Sequence, residues 1–312
     1  MVSIIIPTYN RAHYLKEAIN SVHQQSYRPI ECIVVDDGST DHTAELVDTI
    51  KNLTSDNFII KYVLQNNSGA QVARNKGTEL ASGEFIQYLD SDDLLYPDKL
   101  SNQIRFLEDH PDCDGVFGDW EQGQPSDKEI IKGYLSENPI EQFLTDRCIA
   151  NFSFLMRTEM IKKTGQWDPN IKRNQEIDFH VRALLKGARF SYVPGTTGLW
   201  RTHNEIRIAN STNLKDVVFF FQKMENLLTE KKLFANNLKE KIASLYMWLV
   251  DENIKQPKSL LVPAINEAYR LNPNINFAQK TTFRLINQYF GLSAAISVWL
   301  FIRKNLKYHS RF

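Results

Sequence analysis

The chain has 312 residues, 42% of them hydrophobic and 24% charged, which is typical of a soluble globular protein with one large domain and an appendage. Lys plus Arg and Asp plus Glu both total 37, so the overall charge gives no attraction for nucleic acid, and we exclude nucleic acid as a partner. The three cysteines, Cys32, Cys113 and Cys148, are far apart and outside any CxxC spacing, which excludes a zinc site or a disulfide framework and indicates a reducing, cytoplasmic location.

The chain begins with the apolar run Val2 to Ile6, which no basic segment precedes and which ends at Pro7. We therefore predict a strand and not a signal peptide, in a protein that is not exported. Short β-branched runs then alternate with helical patterns. The predicted elements are strand 2–6, a helix with Leu15, Ala18, Ile19 and Val22 facing inward, strand 30–35, helix 41–53, strand 59–64, helix 69–81 and strand 84–89. This alternation predicts an α/β fold with parallel strands joined by crossover helices.

The middle of the chain continues the α/β pattern, and the last third does not. Pro97 begins a predicted helix, residues 114–120 form a predicted strand, and the polar stretch 121–127 is predicted to be a surface loop. Beyond residue 205 the periodicity is helical, with predicted segments at 213–231, 235–251, 257–270 and 279–307. We therefore predict one domain at 1–205 and a helical region at 206–312.

Polar turns follow the first two strands, where ligands of α/β sheets bind. The turn 7–11 contains an aromatic ring, Tyr9, that can stack on a nucleotide base, although a helix-capping turn explains it equally well. After the second strand, Asp36 and Asp37 point to opposite sides, so one carboxylate can bind a ribose or base while the other binds the loop, and Gly38 permits the turn. Helix capping at 40–41 is the structural alternative, but it leaves Asp37 unexplained.

The third motif, residues 67–77, places a glycine before a helix whose first turns contain Arg74 and Lys76. A helix N-terminus and two cations suit a phosphate-bearing ligand, and a solvated basic face is the alternative. The fourth motif, residues 90–93, has three carboxylates directly after a strand. Because these charges repel one another when partly enclosed, we expect a cation among them, and carboxylate oxygens favour Mg²⁺ or Mn²⁺.

In order and spacing, these four motifs resemble the family 2 glycosyltransferases of the GT-A fold, over about residues 1 to 205. The resemblance implies an inverting, metal-dependent enzyme that uses a nucleotide-sugar donor, most simply a UDP-sugar, with Mn²⁺ or Mg²⁺ as cofactor. It also implies that 90–92 is the DxD motif, with Asp92 as the metal ligand. The donor-binding residues that it implies are Pro7, Thr8, Tyr9, Arg11, Asp37, Arg74, Lys76, Asp90 and Ser91.

Two carboxylates near residue 177 are candidates for the catalytic base. The family places an arginine six positions after the base, and counting back from Arg182 gives Glu176, where aspartate is commoner. Asp178 is the alternative, and a favourable charge at the helix N-terminus explains either residue without catalysis. The residues of this helix that we predict to face inward are Ile177, Val181 and Leu184.

Histidines supply two further predictions. His203 lies in an Arg-x-His segment like that of the family, which implies a metal or diphosphate ligand and places Arg201 facing phosphate. His180 is interpreted as an acceptor-side or packing residue.

The tail contains thirteen mostly apolar residues, 290–302, followed by four basic residues up to 311. This run is too short to span a bilayer, so it predicts a helix that either contacts a membrane surface through 290–311 or packs in a core or homodimer interface.

The predicted function is transfer of a sugar to a glycan or lipid-linked hydroxyl in bacterial surface polysaccharide synthesis, at the inner face of the plasma membrane. Two alternatives stay open, a nucleotidyltransferase and a non-catalytic nucleotide-sugar-binding or scaffold protein of a glycan-assembly complex. The turn 7–11 lacks the Gly-rich basic loop of the former, and the carboxylates at the metal and base positions disfavour the latter.

Overall fold

The computed structural model describes residues 1–146, 149–203, 214–275 and 281–305; Cys148 lies outside these ranges. The chain divides into two compact units. The first contains residues 1–170 and 175–205, and the second contains 171–174 and 206–312.

The first unit has the alternation of strands and helices that the sequence predicts. Its strands are β1 Val2–Thr8, β2 Ile30–Asp36, β3 Phe58–Leu64, β4 Phe85–Tyr88, β5 Leu94–Leu95, β6 Gly115–Gln124, β7 Asp127–Ile131, β8 Leu155–Arg157 and β9 Phe190–Arg201. Its helices are α1 Ala12–His23, α2 Thr43–Ile50, α3 Ala70–Leu80, α4 Lys99–Asp109, α5 Pro139–Thr145, α6 Thr158–Thr164 and α7 Gln175–Leu185. Every element that the sequence predicts up to residue 90 is confirmed, with bounds shifted by three residues or fewer. The end of the predicted helix 41–53 is a separate 3-10 turn, Lys51–Leu53, that follows α2.

The strands form one mixed sheet in the order β3-β2-β1-β4-β8-β6-β9-β5, with β7 paired to β6. β1 lies between β2 and β4 and is parallel to both, whereas β8 is antiparallel to β4 and β6. β9 returns parallel to β6. Because β1, β2 and β4 run in one direction, the loops after Thr8, Asp36 and Tyr88 leave the sheet at the same edge.

Helices pack on both faces of the sheet. One buried cluster joins alternate side chains of β1 and β2 to α1, α2 and α4. On the other face Val35 contacts Ala73 of α3. The close approach of α3 requires Gly77, since a Cβ atom built there would lie 2.4 Å from Cγ2 of Ile5. These apolar contacts hold the carboxyl ends of the strands in place, with each fully buried aliphatic side chain contributing about 1.5–3 kcal/mol.

One prediction for this unit is wrong, and another is confirmed in part. The stretch 121–127 is not a surface loop, because β6 continues to Gln124 and forms a hairpin with β7. The side chains of this edge hairpin are mostly polar, so hydrophobic periodicity does not detect the hairpin. Of the three residues predicted to face inward on α7, only Val181 is fully buried, while Ile177 and Leu184 are partly buried. An aromatic and polar set fills the buried face instead: Gln175, Asp178, Phe179, His180, Val181 and Ala183.

The second unit is helical wherever the structure describes it. Its helices are α8 Leu214–Glu230, α9 Asn236–Glu252, α10 Lys258–Leu271, α11 Thr281–Phe290 and α12 Leu292–Asn305. The predicted segment 279–307 is therefore two helices, separated at Gly291, where φ is 81°; residues 279–280 and 306–307 lie outside the described ranges. None of the described helices has the length and apolar content needed to cross a bilayer.

Candidate active site

The turns after β1 and β2 bind each other at the carboxyl edge of the sheet. The backbone N–H of Asp37 donates to the carbonyl oxygen of Thr8 at 2.8 Å, and that of Asn10 donates to Ser39 Oγ at 2.8 Å. The Tyr9 ring next to this junction is 47% exposed, so it is available for a ligand. Pro7, Thr8, Tyr9 and Arg11 therefore lie beside the loop that contains Asp37, as the parallel strands require.

The Asp37 carboxylate organises the loop before α3. Its Oδ1 accepts hydrogen bonds from the Ser68 N–H at 2.8 Å and from Gln65 Nε2 at 2.7 Å, and its Oδ2 accepts from the Gly69 N–H at 2.8 Å. Asp37 thus has a structural partner set that sequence reasoning did not find, and a carboxylate has capacity for about one further donor. Gly38, at φ 84°, is required beside it, because a Cβ atom there would lie 3.0 Å from Asn67 N.

Asp36 points away from Asp37, as predicted, and binds the protein on the other side of the strand. Its Oδ1 accepts from the Ser39 N–H at 2.8 Å, and its Oδ2 accepts from the Tyr62 hydroxyl at 2.7 Å. Partial burial and this hydrogen bond raise the pKa of Tyr62 above its ordinary value. Asp36 therefore holds the turn in which Asp37 lies.

Arg74 joins residues 90–93, which we call the acidic loop, to the start of α7. Its side chain is buried, and its Nη2 donates to Asp90 Oδ1 at 2.7 Å while its Nη1 donates to Gln175 Oε1 at 2.8 Å. The structure does not bring Lys76 to this point. Residues two apart on a helix face different directions, and Lys76, whose side chain is 44% exposed, pairs with Glu79 at 3.7 Å.

An aromatic stack continues from Arg74 into α7. The guanidinium lies 4.7 Å from the centroid of the Trp167 ring, and Trp167 stacks on Phe179 at 4.5 Å and 9°. The guanidinium of Arg182 lies 5.4 Å from the Phe179 ring at the other end, and its Nε donates to Asp178 Oδ2 at 2.9 Å. We call these five residues the Arg74–Arg182 stack. Each end of the stack is a cation bound to a carboxylate, so the position of α7 depends on the acidic loop.

The acidic loop is also attached to the end of β9. The carboxylate of Asp93, 2% exposed, accepts from the Arg201 N–H at 3.2 Å, and the Asp92 carbonyl oxygen accepts from Arg201 Nε at 2.5 Å. Asp93 therefore shapes the turn and is too enclosed to meet a ligand. Ser91 is buried between the two aspartates that remain accessible, Asp90 and Asp92.

Arg201 is engaged by the protein itself. Its side chain is buried, forms an ion pair with Glu17, donates to the Tyr14 carbonyl oxygen at 3.4 Å and lies 4.9 Å from the Tyr14 ring. The same ring stacks on His203 at 4.8 Å. Tyr14 and Glu17 are thus parts of the site that sequence reasoning missed, and nothing in the pattern of α1 marks them apart from its other partly exposed residues.

His203 meets Asp92 across 111 residues of sequence, with Nε2 at 2.8 Å from Oδ2. In the described ranges no group of three or more His, Cys, Asp and Glu side chains is arranged to hold a metal. The pair nevertheless fits Mg²⁺ or Mn²⁺, which keep waters and substrate phosphates alongside few protein ligands.

The two candidate bases differ in exposure. Glu176 is partly exposed on the first turn of α7, next to the Gln175 that binds Arg74. Asp178 is 1% exposed and is held by Arg182. His180 is buried and stacks on Phe154 at 3.9 Å, and burial lowers its pKa to about 3, so of its two predicted roles the structure supports packing.

Three kinds of similarity accompany this geometry. The model of glycosyl transferase family 2 matches residues 3–165. A putative teichuronic acid biosynthesis glycosyltransferase, TuaG of Bacillus subtilis, is 35% identical over 194 residues, which are 60% of this chain and 73% of that protein. An uncharacterized glycosyltransferase of Rickettsia felis is 30% identical over 217 residues, 68% of this chain, but the match spans only 34% of that longer protein.

Among solved structures, the crystal structure of S. aureus TarS 1–349 in complex with UDP-GlcNAc superimposes with a TM-score of 0.69 at 18% identity. The match covers 97% of this chain and 90% of that one. This similarity, over the whole chain, shows that the mixed sheet and its flanking helices form the fold predicted from the four motifs.

Proposed function

Because this chain belongs to glycosyl transferase family 2, we propose that it transfers a sugar from a UDP-sugar to a hydroxyl group of a surface glycan or lipid-linked acceptor, with inversion at the anomeric carbon. The UDP donor is supported by the likeness in fold to TarS, which binds UDP-GlcNAc and UDP. Surface-polysaccharide synthesis is supported by the similarity to the teichuronic acid glycosyltransferase of B. subtilis.

One observation carries the proposal. Asp92, which pairs with His203, and Asp90, which pairs with Arg74, both lie in the acidic loop at the carboxyl edge of the sheet. The exposed ring of Tyr9 and the turn around Asp37 lie at the neighbouring strand ends, where a base and ribose would bind. We assign Asp90 to the ribose or to metal-bound water, because Arg74 already holds one of its oxygens and 40% of its side chain is exposed.

Asp92 and His203 are the residues that would hold a divalent ion. When bound there, the ion would neutralise charge on the departing diphosphate. The protein contributes the fixed positions of the two ligands, because Tyr14 stacks on His203 and Arg201 holds the Asp92 backbone. Arg201 is therefore assigned to this support and not to phosphate binding.

We propose Glu176 as the base. In a single displacement the acceptor oxygen bonds to the anomeric carbon, the bond from that carbon to the diphosphate breaks, and the acceptor proton moves to a carboxylate. Glu176 is accessible for this step, and the hydrogen bond from Arg74 to its neighbour Gln175 fixes its helix relative to the acidic loop. Asp178 is enclosed and bound to Arg182, which leaves it no room to contact an acceptor.

We also propose that the enzyme works in the cytoplasm. Cys32 and Cys113, the two cysteines that the structure describes, are buried and form no disulfide, which is compatible with a reducing compartment.

A panel of UDP-, GDP- and TDP-sugars, with and without Mn²⁺, tests the proposal by thermal shift and nucleotide release. At about 100 times its Kd, a UDP ligand should stabilise the protein by about 2.7 kcal/mol. Asp92→Asn should lose the Mn²⁺-dependent part of binding, whereas the control Asp48→Asn, an exposed carboxylate on α2, should keep it.

Unchanged Mn²⁺-dependent UDP binding in Asp92→Asn would refute the metal assignment. Failure to bind any nucleoside diphosphate, in a folded protein, would favour a non-catalytic scaffold.

A further inference from the structure

The last two described helices, α11 and α12, carry apolar side chains on two opposite faces. One face is buried in the helical unit through Phe283, Ala295, Ile296, Trp299 and Leu300. Lys258 Nζ donates to Ser297 Oγ, and Asn287 Nδ2 donates to the Tyr269 hydroxyl at 3.1 Å, so the hairpin is attached to α10.

The outer face is apolar too. On α12, residues 294, 298, 301 and 302 follow the i, i+4, i+7, i+8 spacing of a second stripe, and Val298, Phe301 and Ile302 are exposed. Tyr289 is 71% exposed, Phe290 76% and Phe301 68%. Single exposed apolar residues are ordinary, but a set of this size on one hairpin marks an interaction surface. We call Leu285, Tyr289, Val298, Phe301 and Ile302 the outer face.

The charge of this part of the chain indicates what the outer face meets. Residues 271–312 contain six of the 37 Lys and Arg and none of the 37 Asp and Glu, so the remainder of the chain has an excess of acid. In the described part, Arg303 pairs with Asp251 at 3.0 Å and Lys304 is exposed at the end of α12. An acid-free segment that combines cations with exposed aromatic rings complements an anionic lipid surface, because aromatic side chains enter the interface and lysines and arginines meet the headgroups.

We propose that the outer face of α11 and α12 docks on a membrane that contains anionic lipid. The hairpin lies in the interface with the outer face towards the acyl chains, and none of the helices that the structure describes crosses the bilayer. A second copy of this chain would satisfy the apolar stripe, but two such segments would bring like charges together, which disfavours a homodimer through this face. The proposal is independent of the transferase activity.

Vesicle flotation of the full chain tests the proposal. At physiological salt the protein should bind vesicles that contain phosphatidylglycerol and float with them. A smaller fraction of the protein should float with vesicles of pure phosphatidylcholine. Tyr289→Ser combined with Phe301→Ser should weaken binding at least tenfold, because two large apolar side chains no longer enter the lipid. Lys304→Ala should weaken it about fivefold.

The matched control is Phe219→Ser, because Phe219 is an aromatic residue that is 47% exposed and belongs to α8 and not to the hairpin. This variant should float like the wild type, and all variants should keep the wild-type circular dichroism and UDP binding. Equal flotation of the double variant and the control would overturn the proposal, as would no binding of the wild type to either vesicle. A vesicle-free dimer that the double variant abolishes would identify the face as an interface between two copies, which also contradicts docking.

Discussion

Glu176 and Asp178 lie two residues apart on the first turn of α7, and their amide variants are expected to fail in different ways. Asp178→Asn removes the negative charge from a pair in which the two side chains are 1% and 16% exposed, with Nε and Oδ2 2.9 Å apart. Breaking a buried pair by deleting one partner costs about 3–5 kcal/mol. Since asparagine keeps a carbonyl oxygen of the same reach, we expect a loss of about 2–3 kcal/mol in unfolding free energy.

This loss acts on the Arg74–Arg182 stack. Arg182 is held over Phe179 by Asp178, so the weaker bond loosens the end of the stack that is remote from the acidic loop. Trp167 and Arg74 remain in place because Arg74 keeps its bond to Asp90. We therefore expect the folded Asp178→Asn protein to retain turnover within about tenfold of the wild type.

Glu176→Gln should show the opposite result. The side chain is only partly buried, and its charge near a helix N-terminus stabilises by about 1 kcal/mol or less. If the carboxylate accepts the proton of the attacking hydroxyl, its neutral isostere should lower kcat by about 10²- to 10⁴-fold without changing the Kd for the donor.

Urea unfolding measures the first effect, and release of UDP with water as the acceptor measures the second without a known acceptor. Titration of UDP against each variant is the control for donor binding. Full turnover of Glu176→Gln, together with loss of turnover by an equally stable Asp178→Asn, would refute the assignment and make Asp178 the base.

Three further outcomes follow from the packing of the first unit. Arg74→Lys should raise the donor Kd about tenfold, because one ammonium group cannot bind Asp90 and Gln175 together while also stacking on the Trp167 ring. Lys76→Ala is the control. Equal effects of the two variants on the donor Kd in calorimetric titration would contradict this prediction. His180 has a pKa lowered to about 3 in the fold against 6.5 unfolded, so only the unfolded chain takes up a proton between those values. Stability should therefore fall by about 1.4 kcal/mol for each pH unit below 6.5, and His180→Phe should remove that slope in urea unfolding at pH 7, 6, 5 and 4. Gly77→Ala should cost about 1–3 kcal/mol because its Cβ overlaps β1, and a thermal midpoint at or above the wild-type value would show that α3 has room to move.

Local patterns account for the elements that were predicted correctly. The parallel strands and crossover helices up to residue 90 are detectable because buried strands are continuous apolar runs and amphipathic helices repeat every 3.6 residues. The four motifs could be placed at strand ends for the same reason, and the order of parallel strands gathers those ends on one edge.

The hairpin of β6 and β7 was missed because its stability comes from pairing with neighbouring strands. Glu121 forms an ion pair with Lys128 across the hairpin, and Tyr96 donates a hydrogen bond to the same carboxylate. These polar partners are satisfied only in the folded sheet, so the segment has no apolar alternation that its sequence could display.

The sequence by itself determined the class of the fold, the carboxylates that gather at the strand ends, and the two carboxylates that we consider as candidates for the base. Only the tertiary structure decided how they combine. In the folded protein Arg74 binds Asp90, and Lys76 instead pairs with Glu79. His203 lies beside Asp92, and Asp178 is enclosed with Arg182. The physical reason is the distance along the chain over which each signal acts. Periodicity shows which side of its own helix or strand a residue occupies. A pairing between residues distant in sequence depends instead on the order of strands in the sheet and on the Arg74–Arg182 stack that fixes α7.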